Sequence, residues 1–433
     1  MKGPHGMVLT LAPSVTLAAA AVICLVFVPQ LGGLGAMGFL AFGLCLVLRK
    51  PWALVAEIRA YRLLYIIPAW CAFSVLWSAE PALTLRYSLQ LGATFMVVIA
   101  MACRLSPLSF FRVVLGAYAA AALASVAFGA VRADGGGWIG VFGSKNSFAT
   151  AMSVLVLAGL ALALDRGQTP AGRVLGAAAL VGGTALLGLG QSAGASLATL
   201  VVGGLGCGIY LFRRLSRRQK RAAAVLCGAV TLLLLTVILA ERSQLMALVL
   251  QGTGKDVTLT GRTDLWKEAW RQIASAPLLG QGYQAFWVQG HPVAEQLWAD
   301  FDIASRRGFH FHNLYLSNMV EIGVIGVTLQ LAAFFGALWL CLVWAVRDPR
   351  VETVFLAMLM LRLTLISAVE VPVYFQFDVN TVFAVAALVF GLRARGAEAG
   401  ASAQRAKVRG ATRAVPVSRT GPEADGHPAI VMQ

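Results

Sequence analysis

About twelve apolar runs, nearly free of charge and mostly close to the ~20 residues a helix needs to cross a bilayer core, follow one another along this chain. They lie at roughly 7–28, 31–48, 63–77, 88–105, 109–131, 146–164, 174–191, 193–212, 222–240, 322–346, 353–371 and 376–392. Lipid offers a backbone no hydrogen-bond partners, so runs of this length must satisfy their amides internally, as helices. Only 12% of the 433 residues are charged, against about 25% in a soluble domain. The expected fold class is therefore an all-α polytopic membrane protein of about twelve transmembrane helices, with one long, partly helical loop outside the membrane. The run at 63–77 is the shortest, with Trp77 an aromatic anchor beside loop 78–87.

The net charge of +16 would suggest nucleic acid if it were spread over a surface, but it is clustered between spans. Arg49, Lys50, Arg59 and Arg62 form one cluster, and Arg213, Arg214, Arg217, Arg218, Lys220 and Arg221 a second. Arg347 and Arg350 follow, and Arg393, Arg395, Arg405, Lys407, Arg409 and Arg413 come after the last run. Short basic loops stay on the cytoplasmic side. With twelve spans these loops share that side, both termini are cytoplasmic, and nucleic acid is not an expected partner. Loops 78–87, 132–145 and 241–312 then face outward, with the turn Gln191-Ser192-Ala193-Gly194, away from ATP and nucleotide sugars. The expected organisation is residues 1–240 as spans one to nine of a single membrane domain, 241–321 as the periplasmic loop with an interfacial helix, 322–392 as spans ten to twelve, and 393–433 as a basic, disordered cytoplasmic tail against anionic lipid. The first run lacks a cleavage-site pattern and reads as a retained span. The seven cysteines include no CxxC and nearly all sit in apolar runs, which disfavours a disulfide framework or a zinc site.

The polar stretch from Glu241 to His312 holds three of the five histidines: His291, His310 and His312. In Gly261-Arg262-Thr263-Asp264-Leu265-Trp266, the apolar residues Leu265, Trp266, Ala269, Trp270 and Ile273 recur at helical spacing until Pro277, which places Arg262 at a helix N-terminus. A guanidinium added to the positive helix end suits a phosphate; the plainer alternative is a surface pair with Asp264 or Glu268. In His312-Asn313-Leu314-Tyr315, the polar Asn313, Ser317 and Glu321 recur every four residues, an amphipathic helix at the interface. His312 there is either a general base near neutral pH or a histidine bonded to backbone. Asp300-Phe301-Asp302 with His291, His310 and His312 is a weaker metal pattern, and no metal or cofactor is expected. A GxSxG hydrolase elbow is absent from the sequence. In Val141-Phe142-Gly143-Ser144-Lys145-Asn146-Ser147, Lys145 and Asn146 either bind substrate or belong to a helix cap with a snorkelling lysine. Arg86 is open to the same two readings. Arg362 and Glu370 are the charges of the run at 353–371; they are functional by default, or neutralise one another or partners across the bundle.

Taken in order, Trp77-Ser78-Ala79-Glu80-Pro81 with Arg86, Phe142-Gly143-Ser144-Lys145-Asn146, Gly261-Arg262-Thr263-Asp264-Leu265-Trp266, Pro277-Leu278-Leu279-Gly280-Gln281-Gly282, His312-Asn313-Leu314-Tyr315-Leu316 and Gly323-Val324-Ile325-Gly326 resemble the bacterial O-antigen ligase and Wzy-type polymerase superfamily, most closely its ExoQ-like exopolysaccharide polymerase branch. The resemblance covers about residues 75–370. It implies a membrane glycosyltransferase of the bacterial inner membrane. The donor would be a polyprenyl-diphosphate-linked oligosaccharide and the acceptor a sugar hydroxyl of a glycan, joined on the periplasmic face without metal and with inversion. His312 and Arg262 would be catalytic, with Lys145, Arg86, Asn146, Asn313 and Arg362 binding substrate. The partners implied are donor, acceptor and membrane lipid, with a chain-length regulator as a further one. Where relatives often carry a basic residue after Gln-Ser, this chain has Ala193, so that duty would pass to Lys145, Arg86 or Arg362, or the activity would be altered. Transfer of a finished glycan to a lipid A core is the alternative reaction, and a flippase for the lipid-linked glycan the alternative from another class.

Overall fold

The structure, a computed structural model, describes residues 12–132, 136–216, 218–219, 221–222, 225, 261–306 and 308–413. The ninth expected span, residues 241–260 of the polar stretch, and the end of the tail lie outside the described residues. The chain divides into two compact units, Met1–Gly391 and Leu392–Gln433.

The described elements are helices apart from one small hairpin. In order they are α1 (Pro13–Val26), α2 (Val28–Leu31), α3 (Gly33–Leu48), α4 (Pro51–Ala60), a segment of 3₁₀ turns around α5 (Ile66–Phe73), α6 (Pro81–Arg104) and α7 (Pro107–Phe128). The hairpin follows, with β1 (Ala130–Val131) antiparallel to β2 (Trp138–Gly140). Then come α8 (Lys145–Leu164), α9 (Pro170–Leu189), α10 (Ala193–Phe212), α11 (Arg262–Ser275), α12 (Pro292–Asp300), α13 (Leu314–Arg347), α14 (Val351–Ser367) and α15 (Val379–Arg413). Punctuation in the sequence explains many starts. Proline opens α6, α7 and α9, where a missing N–H costs nothing. Ser106, Ser144 and Thr169 cap α7, α8 and α9 by accepting the N–H three residues on.

Among the described residues six helices are long and apolar enough to cross a bilayer, or seven if α3 and α4, bent by 100°, form one broken span. The protein is a polytopic all-α membrane protein, with fewer such helices in the described part than the twelve expected. Three boundaries also differ from expectation. α6 begins at Pro81, so most of loop 78–87 is helix and Arg86 lies on it. α14 ends at Ser367, which puts Glu370 in the α14–α15 connection instead of inside a span. The basic tail is helical as far as Arg413, because its Ala and Arg content favours helix and no proline interrupts it before Pro416.

The core centres on α7, α8 and α14. α8 is 72% buried along its most apolar stretch, against 22% for α9. Val354, Phe355, Leu356, Ala357, Met358 and Leu359 of α14 are all essentially inaccessible. The α3–α4 corner is locked by Arg104, whose guanidinium holds both carboxylate oxygens of Glu57 at 2.8 and 2.9 Å and donates to the carbonyls of Leu46, Val47 and Lys50.

A second, smaller core lies within the polar stretch. Leu265, Ala269 and Ile273 of α11, Phe286, Leu297 and Trp298, and Phe311 pack with Leu316 and Val320 of α13. This core is seated on a break in α13. Gly323 adopts φ +65° and ψ −178°, a conformation almost confined to glycine. The freed backbone bonds to the Pro277–Gly282 segment: Val324 N–H donates to Pro277 at 2.9 Å, and Gln281 and Gly282 donate to Val320 and Glu321 at 2.9 and 2.8 Å. The Trp70 indole closes the joint by donating to Ile322 at 3.1 Å. Two of the glycine-rich motifs are thus halves of one joint, which fixes α11 to the membrane bundle.

Candidate functional site

Arg262 opens α11, beside the positive end of its dipole. One turn on, Trp266 Nε1 donates to the Phe311 carbonyl at 2.8 Å, which ties the helix to the segment before His312. On that segment His310 Nδ1 accepts the His312 backbone N–H at 3.0 Å, and His312 itself sits at φ +48°. Asn313 then caps α13: its side-chain oxygen accepts from Tyr315 and Leu316 at 3.0 Å, and its amide donates to the Ala368 carbonyl at 3.2 Å. Tyr315 Oη and Ser367 Oγ meet at 2.9 Å. These last two bonds fix the end of α14 against the start of α13 and deliver Glu370 to the site.

Glu370 is the hub. Its Oε2 is 3.1 Å from His312 Nδ1 and 3.6 Å from His310 Nε2, and its Oε1 accepts from Arg262 Nη2 at 3.3 Å. The carboxylate is 37% exposed and the three partners 22–26%, so the cluster is open at the surface. Burial would raise the Glu370 carboxyl, but the hydrogen bond with His312 and the charges of His312, His310 and Arg262 outweigh it and hold the carboxyl below its usual range. The His310 ring is pushed down to about 4, first by burial and then by the charges of His312 and Arg262, against the opposite pull of Glu370. His310 is therefore neutral at physiological pH.

Several sequence alternatives find their answer here. Asp264 and Glu268 pair with Lys267 and Arg271 at 2.7 and 2.9 Å, while the Arg262 guanidinium pairs with Glu370. The His312 ring meets a carboxylate, and it is the His310 ring that bonds to backbone. His291 caps α12, accepting from Ala294 at 3.3 Å. Arg362 and Glu370 do not neutralise each other. Arg362 is 2% exposed in the bundle and donates to Ser153 Oγ at 2.6 Å and the Thr150 carbonyl at 2.8 Å; its Nη1 is buried without a hydrogen-bond partner among the described residues. Lys145 donates to the Gly136 carbonyl at 3.2 Å, Asn146 accepts from Ser192 Oγ at 3.1 Å, and the exposed Arg86 lies over the Tyr87 ring. The bonds of these residues thus lie away from the Glu370 cluster.

Local sequence pattern identifies neither Glu370 as the acceptor shared by Arg262 and His312 nor His310 as its third partner. One signal was available, since a lone carboxylate at the end of an apolar run needs cations, and the polar stretch supplies them. The donor atoms of His310, His312 and Glu370 lie within 4.8 Å of one another, a spacing a cation could bridge. The hydrogen bonds fit that role poorly. Nδ1 of neutral His310 accepts from backbone, so its proton sits on Nε2, the atom facing Glu370, which leaves no lone pair there for a metal.

What the arrangement can do is receive an anion at Arg262 and a proton at His312, side by side. A family profile described as O-Antigen ligase matches residues 177–331, which include both residues. The chain is also similar to the exopolysaccharide production protein ExoQ of Rhizobium meliloti (strain 1021): the two are 33% identical over 326 residues, 71% of this chain and 72% of that protein.

Proposed function

Because the chain belongs to the O-antigen ligase and ExoQ-type family of polysaccharide biosynthesis, we propose that it transfers a glycan from a lipid-diphosphate donor to a sugar hydroxyl, polymerising exopolysaccharide or O-antigen repeat units. The observation that carries this reading is the meeting of Arg262 and His312, fifty positions apart in the sequence, on one carboxylate. Charge develops on the leaving diphosphate, and a guanidinium at a helix N-terminus is suited to stabilise it. A proton must leave the attacking hydroxyl, and an imidazole is suited to take it.

In this mechanism the acceptor oxygen attacks the anomeric carbon and its proton passes to His312. The anomeric C–O bond breaks, and the lipid diphosphate departs with its electron pair toward Arg262. A single displacement inverts the anomeric centre. Arg262 and His312 are the catalytic pair. Lys145, Asn146 and Arg86 serve donor or acceptor binding along the bundle, Arg362 braces the bundle from within by its bonds to Ser153 and Thr150, and Asn313 serves by holding the site together. The basic clusters support an inner-membrane orientation with both termini cytoplasmic and the site facing the periplasm, where an activated lipid donor needs no nucleotide.

Purified protein given a lipid-diphosphate oligosaccharide should yield a ladder of multimers on a gel. Arg262→Ala and His312→Ala should each abolish the ladder while the protein stays in the membrane. A single shifted band that requires lipid A core would replace polymerisation with ligation, and substrate crossing leaflets without product would replace transfer with transport. Full activity in either alanine variant removes that residue from the mechanism.

A further inference from the structure

We propose that Glu370 is the positioning residue of the site, fixing His312 with its proton on Nδ1 and its Nε2 lone pair free for the acceptor hydroxyl. This rests on the reading of His312 as the base.

The argument begins with what a carboxylate can do. Surrounded by Arg262, His310 and His312, Glu370 is ionised and can only accept. The His312 nitrogen 3.1 Å from Oε2 is Nδ1, so Nδ1 carries the proton. A neutral imidazole with its proton on Nδ1 has its lone pair on Nε2, and that is the atom left to act as base. The neighbouring ring is held in the opposite tautomer. His310 Nδ1 accepts the His312 N–H, so its proton is on Nε2, again toward Glu370. One carboxylate and one backbone amide thus assign both rings.

The surroundings make the placement rigid. His312 is followed at once by the cap residue Asn313, and Asn313 and Tyr315 are bonded to Ala368 and Ser367, two and three residues before Glu370. Base and carboxylate therefore ride on the two sides of one tied junction between α13 and α14. Among the described residues, the titratable and charged groups facing the His312 ring are His310 on its own segment, Arg262 at the start of α11 and Glu370 in the α14–α15 connection. Of these only Glu370 is anionic. When the acceptor proton moves to Nε2, His312 becomes a cation whose Nδ1–H already points at that carboxylate. The same carboxylate engages Arg262 through its other oxygen, so the residue that receives the proton and the residue that receives the leaving group share one counter-charge.

The test is Glu370→Gln in the full-length protein, assayed with the lipid-diphosphate oligosaccharide across pH. The amide keeps the shape and an acceptor oxygen but loses the charge. The expected result is a kcat lower by ~100-fold, no rise in donor KM, and an acid limb displaced to lower pH, because the His312 cation has lost its anion. Glu370→Asp should recover part of kcat and return the acid limb toward the parent's; it also serves as the measurement if the glutamine variant fails to fold. A Glu370→Gln enzyme with unchanged kcat and an unchanged acid limb overturns the assignment, as does a Glu370→Asp enzyme no better than Glu370→Ala. His312→Ala separates the two levels. If it is inactive while Glu370→Gln behaves as the parent, only the positioning role fails. If it is fully active, the reading of His312 as base fails first.

Discussion

Replacing Gly323 by alanine tests the joint on which the site is mounted. At φ +65° and ψ −178° any side chain is strained, on the order of 1–3 kcal/mol. The alanine Cβ would also lie 2.2 Å from the Leu278 oxygen, 2.4 Å from its carbonyl carbon and 2.6 Å from the Leu279 nitrogen. These are backbone atoms and cannot rotate away, so relief requires moving the Pro277–Gly282 segment. Overpacking of that kind costs about 1–3 kcal/mol, before any loss of the bonds from Val324 to Pro277 and from Gln281 to Val320. The sum, about 2–6 kcal/mol, is a large part of the ~5–15 kcal/mol that holds a typical protein folded. The assay is thermal unfolding in detergent, with Gly336→Ala as the control in the same helix. Gly336 has nothing within 4 Å of a built Cβ, and alanine is the better helix former by about 1 kcal/mol, so the control should match or exceed the parent. Gly323→Ala should melt well below both and lose product, since the displaced segment carries α11 and Arg262 with it. If the two variants melt together at the parental temperature, the break does not depend on glycine and the reasoning is wrong.

Two further outcomes follow from buried and titrating groups. Arg104→Ala strands the Glu57 carboxylate, 9% exposed, and should cost about 3–5 kcal/mol in detergent unfolding; pairing Arg104→Met with Glu57→Met should restore much of it, and a double variant as unstable as the single would refute the ion-pair account. For His310 the sign is fixed by its lowered value of about 4 against an unfolded value near 6.5. The unfolded chain binds the extra proton in that window, so this contribution to stability is complete above about 6.5 and is lost as pH falls toward about 4. His310→Gln should therefore show a shallower fall in melting temperature over that interval, and parallel curves for parent and variant would sink the assignment.

Much of the candidate site was legible in the residues. The spacing of Leu265, Trp266, Ala269 and Ile273 places Arg262 at the start of α11, and the recurrence of Asn313, Ser317 and Glu321 marks the start of α13 as helix. Both rest on local rules of helix periodicity, which a linear reading can apply. The partner of Arg262 and His312 was not legible. Glu370 is 58 residues beyond His312, and the apolar run that holds it with Arg362 leaves open whether the two charges pair with each other or with partners across the bundle. Nothing local says that α14 stops at Ser367, or that Asn313 and Tyr315 tie that end to α13. Nor does local pattern separate a glycine that binds sugar from one that admits a backbone contact, as Gly323 does.

The sequence by itself determined the solvent of this protein and the helices that follow from it. Apolar runs of spanning length cannot satisfy their amides in lipid any other way, and proline, serine and threonine at their starts mark where many helices begin. Only the tertiary structure decided which charges meet. Arg262, His310, His312 and Glu370 come from three separate parts of the chain, and their encounter depends on a glycine break, an aromatic core and two side-chain ties. Helix formation is settled within a few residues, while the neighbours of a charge are settled by packing across the whole bundle.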